Sequence, residues 1–331
     1  MDSIYITLLV HLFWTVSPKW VYVRTGTSDY LFELKNNAIV FNSENISSFK
    51  ISGELPKTVI IEGDNGTYRG DILIQKGKDG ILIFNKIGID DFLSSIIGDL
   101  DPPDTNIESL KARAIAVRSW IYSNFKYSHG IIPDSTDLFV YRGIKAETSK
   151  TIKAVSDTRY IILTFEGNVI YPLWTHSTGG ETVPYNEVFE ENREYLISVP
   201  DPFSKKSPFF EWESSIWEYS FLRGVGMLDL DSMKIIKKSL HGIAEDIVLF
   251  GPNLQHLRGI EIYELFPDKI FSPSFRVQYS GDSLYFIGKG KGYLVGLSLW
   301  GAREMAERGK NYKEILEYYF PGCILRQRRR P

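Results

Sequence analysis

The chain contains a single cysteine, Cys323, which excludes an intramolecular disulfide and a cysteine-rich zinc site. Histidine is also scarce. His11, His129, His176, His241 and His256 include no HExxH-like or i, i+4 pair, which argues against a zinc hydrolase. No apolar run reaches the roughly 20 residues that span a bilayer. Neither sign of charge dominates: 38 Lys and Arg face 41 Asp and Glu, a net charge of −3. Such a balance gives no electrostatic reason to expect nucleic acid as a partner. The one dense basic run, Arg326, Arg328, Arg329 and Arg330, reads as a solvated terminal tail over 326–331. Gly288-Lys289-Gly290-Lys291-Gly292 lacks the Gly-Lys-Ser/Thr ending of a phosphate loop. Neither a metal nor another cofactor is expected, and there is no internal repeat.

What is present is a globular composition, 43% hydrophobic and 24% charged, over a length that predicts about two domains. The longest apolar run, Ile4 to Val16, fits the core of a leader peptide over 1–18, with Thr15-Val16-Ser17 as its exit. The alternative is a buried first strand or helix. From Trp20 to Ile89 short apolar or alternating runs are separated by Gly, Asn, Asp and Lys. These predict hairpins: Trp20-Val23, Ala38-Phe41, Thr58-Ile61, Asp71-Ile74 and Ile81-Phe84, with a turn at Gly77-Gly80. The pattern then becomes helical, from Asp90 through Ile97 and again from Glu108 to Phe125. In the second helix Leu110, Ala114, Val117 and Ile121 mark one apolar face. Strands are predicted at 160–163, 170–174 and through a block from Ile260 to Phe286, and two helices at 297–308 and 312–319. The class is α+β, mostly antiparallel β with inserted helices.

Several strings occur in a specific order. They begin with Tyr68-Arg69-Gly70, Asp91-Phe92-Leu93 and Leu110-Lys111-Ala112-Arg113-Ala114-Ile115-Ala116-Val117-Arg118. Val140-Tyr141-Arg142-Gly143, Ser177-Thr178-Gly179-Gly180-Glu181-Thr182 and Ser198-Val199-Pro200-Asp201-Pro202 follow. Gly296-Leu297-Ser298, Met305-Ala306 and Tyr318-Tyr319-Phe320-Pro321-Gly322 complete the set. Together they resemble the SpoIID/LytB family, the stage II sporulation protein D type of peptidoglycan-acting proteins. The resemblance covers most of the chain. It implies a SpoIID/LytB-like domain over 67–325, with an inserted subdomain near 205–258 and an N-terminal β segment over 19–66. It further implies an exported protein, peripheral to or outside the membrane, whose partners are peptidoglycan glycan strands or a cell-wall hydrolase. Best-known members are lytic transglycosylases; others stimulate cell-wall amidases.

Lytic transglycosylation needs one carboxyl group. It protonates the leaving oxygen, then takes a proton from the muramic acid 6-hydroxyl as a 1,6-anhydro ring closes. In the family this acid is a glutamate ahead of the Leu-Lys-Ala helix. Counting back from Lys111 with Pro102 and Pro103 in register, that position holds Leu100, which cannot move a proton. Asp99 and Asp101 flank it and are the candidate substitutes, each one methylene shorter than glutamate. The family's Cys/His zinc stretch reads Asp134-Ser135-Thr136-Asp137-Leu138-Phe139 here. In the late glycine loop its histidine and glutamine have become Tyr293 and Leu299. The resemblance therefore implies a retained scaffold without the standard catalytic set. Residues placed to hold sugar are Lys111 and Arg118, seven apart on one helical face, and His176, Ser177, Thr178 and Gly179 in a polar glycine turn. Tyr141 and Tyr293 are candidate stacking rings, and Ser298 joins them from the final loop. Three readings stand open: a glycan binder with weak or no activity, a transglycosylase using Asp99 or Asp101, and an interaction protein that stimulates an amidase.

Overall fold

The computed structural model describes residues 7–99, 106–124, 131–134 and 139–328. It forms two compact units, Met1–Tyr171 with Leu325–Pro331, and Pro172–Ile324. The class is α+β, with mostly antiparallel sheets.

The first unit opens on β1, Thr7–Leu12, whose alternation buries Leu8, Val10 and Leu12. It lies between two partners in a five-stranded sheet. Along its whole length it pairs antiparallel with β3, Ile81–Gly88, and on its other edge it runs parallel to Ile131–Pro133. Six residues of the apolar run read as a leader, Thr7–Leu12, form this paired inner strand; residues 1–6 lie outside the described residues. β2, Asp71–Lys76, joins β3 through the predicted turn, where Gly77 N–H donates to Gly80 O at 2.9 Å. A second, six-stranded sheet collects the remaining early hairpins, in the order Glu44–Ile46, Ala38–Phe41, Asp29–Lys35, Trp20–Arg24, Lys57–Ile61, Asp64–Tyr68.

Three helices follow: α1 (Ile89–Asp99), α2 (Ile107–Asn124) and α3 (Ser149–Asp157). Thr148 caps α3 by accepting from Thr151 N–H, with the Thr151 hydroxyl reaching back. The apolar spacing of α2 predicts one buried face, yet Ser109, Leu110 and every residue from Ala112 to Ile121 are buried. Its polar members explain this. Arg113 Nη1 donates to Ile97 O near the end of α1, at 2.6 Å. Arg118 donates to Thr158 O at 2.9 Å and Val155 O at 3.3 Å at the end of α3. Both arginines satisfy carbonyls that a helix C-terminus leaves open, where a cation is also favoured by the helix dipole.

In the second unit, β4 (Glu211–Trp217), β6 (Ser283–Lys289) and β5 (Phe275–Ser280) form one antiparallel sheet in that order. Ser232–Lys238, Ala244–Phe250 and Gln255–Leu257 form another. The core cluster here includes Trp212, Phe221, Ile247, Leu249, Phe275 and Phe286. The predicted β block from Ile260 starts instead with a helix, α4 (Gly259–Leu265). Its alternating residues mimic a strand, but Glu261 Oε2 accepts the Arg258 N–H at 2.6 Å and starts a helical turn. The strand predicted at 170–174 survives only as Trp174–Thr175, since Pro172 has no N–H to donate. That short strand pairs in parallel with Leu297–Ser298, which leads into α5 (Leu299–Glu307) and α6 (Tyr312–Tyr319).

Candidate functional site

Two of the motif strings in the first unit meet. The Tyr68 and Tyr141 rings stand 5.7 Å apart, and Phe92 packs on Tyr141 at 5.0 Å. The Tyr141 hydroxyl donates to Asn85 Oδ1 at 2.7 Å, and Asn85 Nδ2 donates to Arg69 O at 2.7 Å. Gly143 takes φ +61° where a Cβ would strike Thr67 O, so glycine lets this turn approach the Asp64–Tyr68 strand. Arg69 grips Glu147 with Nε and Nη2, the latter at 2.7 Å. The packing leaves a cavity of about 450 Å³ lined by Tyr68, Asp134, Tyr141, Arg142 and Lys145 among others.

Two carboxylates near it are already employed. Asp99 accepts from Arg142 Nε at 2.9 Å. Asp134 accepts the Phe13 N–H, and burial pushes its carboxyl above the ordinary range despite that bond. Burial likewise raises the Tyr68 phenol, helped by Asp134 and Asp64. Leu100 and Asp101 lie outside the described residues.

Lys111 and Arg118 were expected to face sugar from one side of a helix. Instead, Lys111 binds Glu108 at 2.8 Å and Asp157 at 3.3 Å. Burial lowers its ammonium, but the bonds to both carboxylates outweigh that and leave it raised. Arg118 is buried against α3, with Asp90 at 3.7 Å. Desolvation lowers its guanidinium to about 10, the Asp90 charge offsetting part of the loss. The basic stripe docks one helix on another, and Tyr141 is likewise a buried, hydrogen-bonded ring.

The remaining predicted residues gather in the second unit, where the glycine turn and the late glycine loop interlock. Ser177 and Lys291 exchange backbone bonds at 3.2 and 2.7 Å. Gly179, at φ +71°, passes so close to Gly290 N that a Cβ would sit 2.6 Å from it. The Thr178 hydroxyl donates to Asp201 Oδ2 at 2.7 Å, and the Tyr319 hydroxyl donates to Asp201 Oδ1 at 2.7 Å. His176 stacks edge-on against Phe209 at 5.3 Å. Tyr293 is buried against Phe189 and Tyr263. Ser298 caps α5 by accepting from Gly301 N–H at 3.1 Å. The Ser177 hydroxyl is fully buried and has no hydrogen-bond partner among the described residues. Sequence reasoning missed Asn85, Asp201 and Tyr319 as organisers. The last two stand inside quoted strings, whereas Asn85 sits in an ordinary strand and carries no signal.

These strings resemble a SpoIID-type domain, and comparison with known proteins finds the same similarity. The family described as SpoIID, Stage II sporulation protein, matches residues 77–165. An uncharacterized protein of Brachyspira hyodysenteriae is 27% identical over 92% of this chain and 86% of its own length. Stage II sporulation protein D of Bacillus subtilis is 26% identical over 71% of this chain and 74% of its own. The Amidase enhancer of Bacillus subtilis is 27% identical over 70% of this chain but 40% of its own length. The chain is thus similar to proteins of the SpoIID/LytB family. No helix among the described residues is long and apolar enough to cross a membrane.

Proposed function

We propose that this is an exported cell-wall protein that binds peptidoglycan glycan strands and has weak or no lytic transglycosylase activity. One observation supports the reading: counting back from Lys111 to the family's acid gives Leu100, and the adjacent described carboxylate, Asp99, is engaged by Arg142. A leaving oxygen needs a free proton donor, and a misplacement of about 1 Å costs on the order of a hundredfold in rate. The interlocked glycine strings of the second unit support retention of a binding scaffold. Purified protein incubated with denuded glycan strands tests this. It should sediment with cell-wall sacculi while releasing no 1,6-anhydro products above background. Robust release, abolished by Asp99→Asn or Asp101→Asn, would establish the transglycosylase reading instead.

A second reading is favoured by the similarity to the Amidase enhancer, which shares 27% identity with this chain. Here the protein acts by stimulating a cell-wall amidase. Amidase turnover on sacculi measured with and without the protein separates the two, because a pure glycan binder leaves that rate unchanged or slows it.

A further inference from the structure

The register of the three-stranded sheet in the second unit lays out one outer face. Glu211 stands opposite Lys289, and Glu213 opposite Ile287 with Arg276 beyond it. The next row is Ser215, Tyr285 and Gln278, and the last is Trp217, Ser283 and Ser280. Residues two apart share a face, so these side chains form one surface, while Trp212, Phe275 and Phe286 point to the core. The strand from Glu211 to Trp217 makes the face about 20 Å long.

Its two ends differ. At one end large rings stand in solvent: Trp217 is 57% exposed, Tyr285 48% and neighbouring Tyr219 58%. Folding normally hides such rings. At the other end a pocket of about 630 Å³ is walled by the hairpin that carries Lys238. Lys238, Arg276 and Lys289 all line it, together with Glu211 and Glu213. The Lys238 ammonium is lowered by burial first and then by the charges of Arg276 and Lys289, so like charges crowd one another here. Lys289 pairs with Glu181 at 3.3 Å, and Gly179 passes against its side chain, so the pocket wall at Lys289 touches the glycine turn.

We propose that this sheet face is a glycan platform that extends the binding site of the second unit and takes a linear, carboxylate-bearing polysaccharide. The chemistry of the face matches that ligand. Aromatic rings offer flat apolar area for the C–H faces of sugar rings while their polar edges stay wet. Ser215, Gln278 and Ser280 supply hydroxyl and amide groups for ring hydroxyls. Arg276 and Lys238 are placed to take carboxylates, and an anion relieves the crowding of their charges. The inference rests on the glycan-binding reading above, and its test separates the two.

Full-length protein and the variants Trp217→Ala, Tyr285→Ala, the double variant and Arg276→Glu are assayed by co-sedimentation with sacculi. Calorimetry follows, with denuded glycan strands and with a neutral N-acetylglucosamine oligomer. These side chains are exposed, so melting temperatures should match wild type and report a retained fold. The double variant is expected to bind about tenfold more weakly, a loss of about 1.4 kcal/mol. Arg276→Glu should erase the preference for the acidic strand over the neutral oligomer. Folded variants that bind like wild type would overturn the platform and leave the glycan-binding reading intact. A wild-type protein that binds neither glycan overturns both. Equal affinity for acidic and neutral strands overturns the assignment of an acidic ligand. Lost amidase stimulation with unchanged glycan affinity overturns the platform and assigns the face to a protein partner.

Discussion

At the residue scale, buried polar groups organise both units. Asp201 is fully buried and satisfied by two hydroxyls, those of Thr178 and Tyr319. Tyr319→Phe removes one bond without opening a cavity and should cost about 1–2 kcal/mol in a urea titration. Its phenol is raised well above its ordinary value by burial and by Asp201, so that bond persists across the working pH range. A pH signal comes instead from Asp91, which lines a cavity of about 310 Å³ with Arg69, Glu147 and Arg159. Burial raises its carboxyl above 3.8, with Arg69 pulling the other way. The folded state therefore holds the proton more tightly than the unfolded chain. The cost of ionising it is absent below 3.8, grows as pH rises through the folded value, and stays at neutrality. Asp91→Asn should raise the melting temperature relative to wild type near neutral pH. That difference should vanish in acid below the unfolded carboxylate value.

At the element scale, α2 shows how charged residues become structural. Arg118 satisfies carbonyls at the end of α3, including Ile161 O just beyond it at 3.3 Å. Arg118→Met keeps much of the apolar bulk but strands those carbonyls in a dry setting. A loss of about 3 kcal/mol is expected by chemical denaturation. The helix periodicity in the sequence was legible, and its two ends fall within a residue of the prediction. Its full burial was not, because Arg113 and Arg118 read as solvent-facing until their carbonyl partners are known. β1 makes the same point from the apolar side. Leu8 is fully buried at an inner position of a sheet, and Leu8→Ala should cost about 2–4 kcal/mol. A run of apolar residues near a terminus reads as a leader core, with a strand as the alternative. In the fold, Thr7–Leu12 pairs with Ile81–Gly88, a partner far along the chain that the local pattern does not reveal.

At the scale of the whole molecule, balanced charge is the governing number. A net charge of −3 over 331 residues offers no field that would draw in a polyanion non-specifically. Duplex DNA at physiological salt should give no mobility shift up to about 10⁻⁴ M, the weak limit of non-specific binding. Affinity for an acidic glycan must then come from local clustering, such as the cations beside β4 and β6. This clustering is invisible in the sequence, where Lys238, Arg276 and Lys289 are scattered among carboxylates.

The sequence alone determined the α+β class, the early hairpins, the long helix and the family resemblance, because these depend on local periodicity, turn chemistry and the order of short strings. Tertiary structure decided which polar residues were already committed. Lys111, Arg118 and Tyr141 look like ligand-holding groups in one dimension but serve helix packing and strand bonding in three. Asn85 and Asp201 gained their roles only from partners brought close by folding. The physical reason is that a hydrogen bond or ion pair depends on distance in space, and sequence separation says nothing of that distance once the chain turns back on itself.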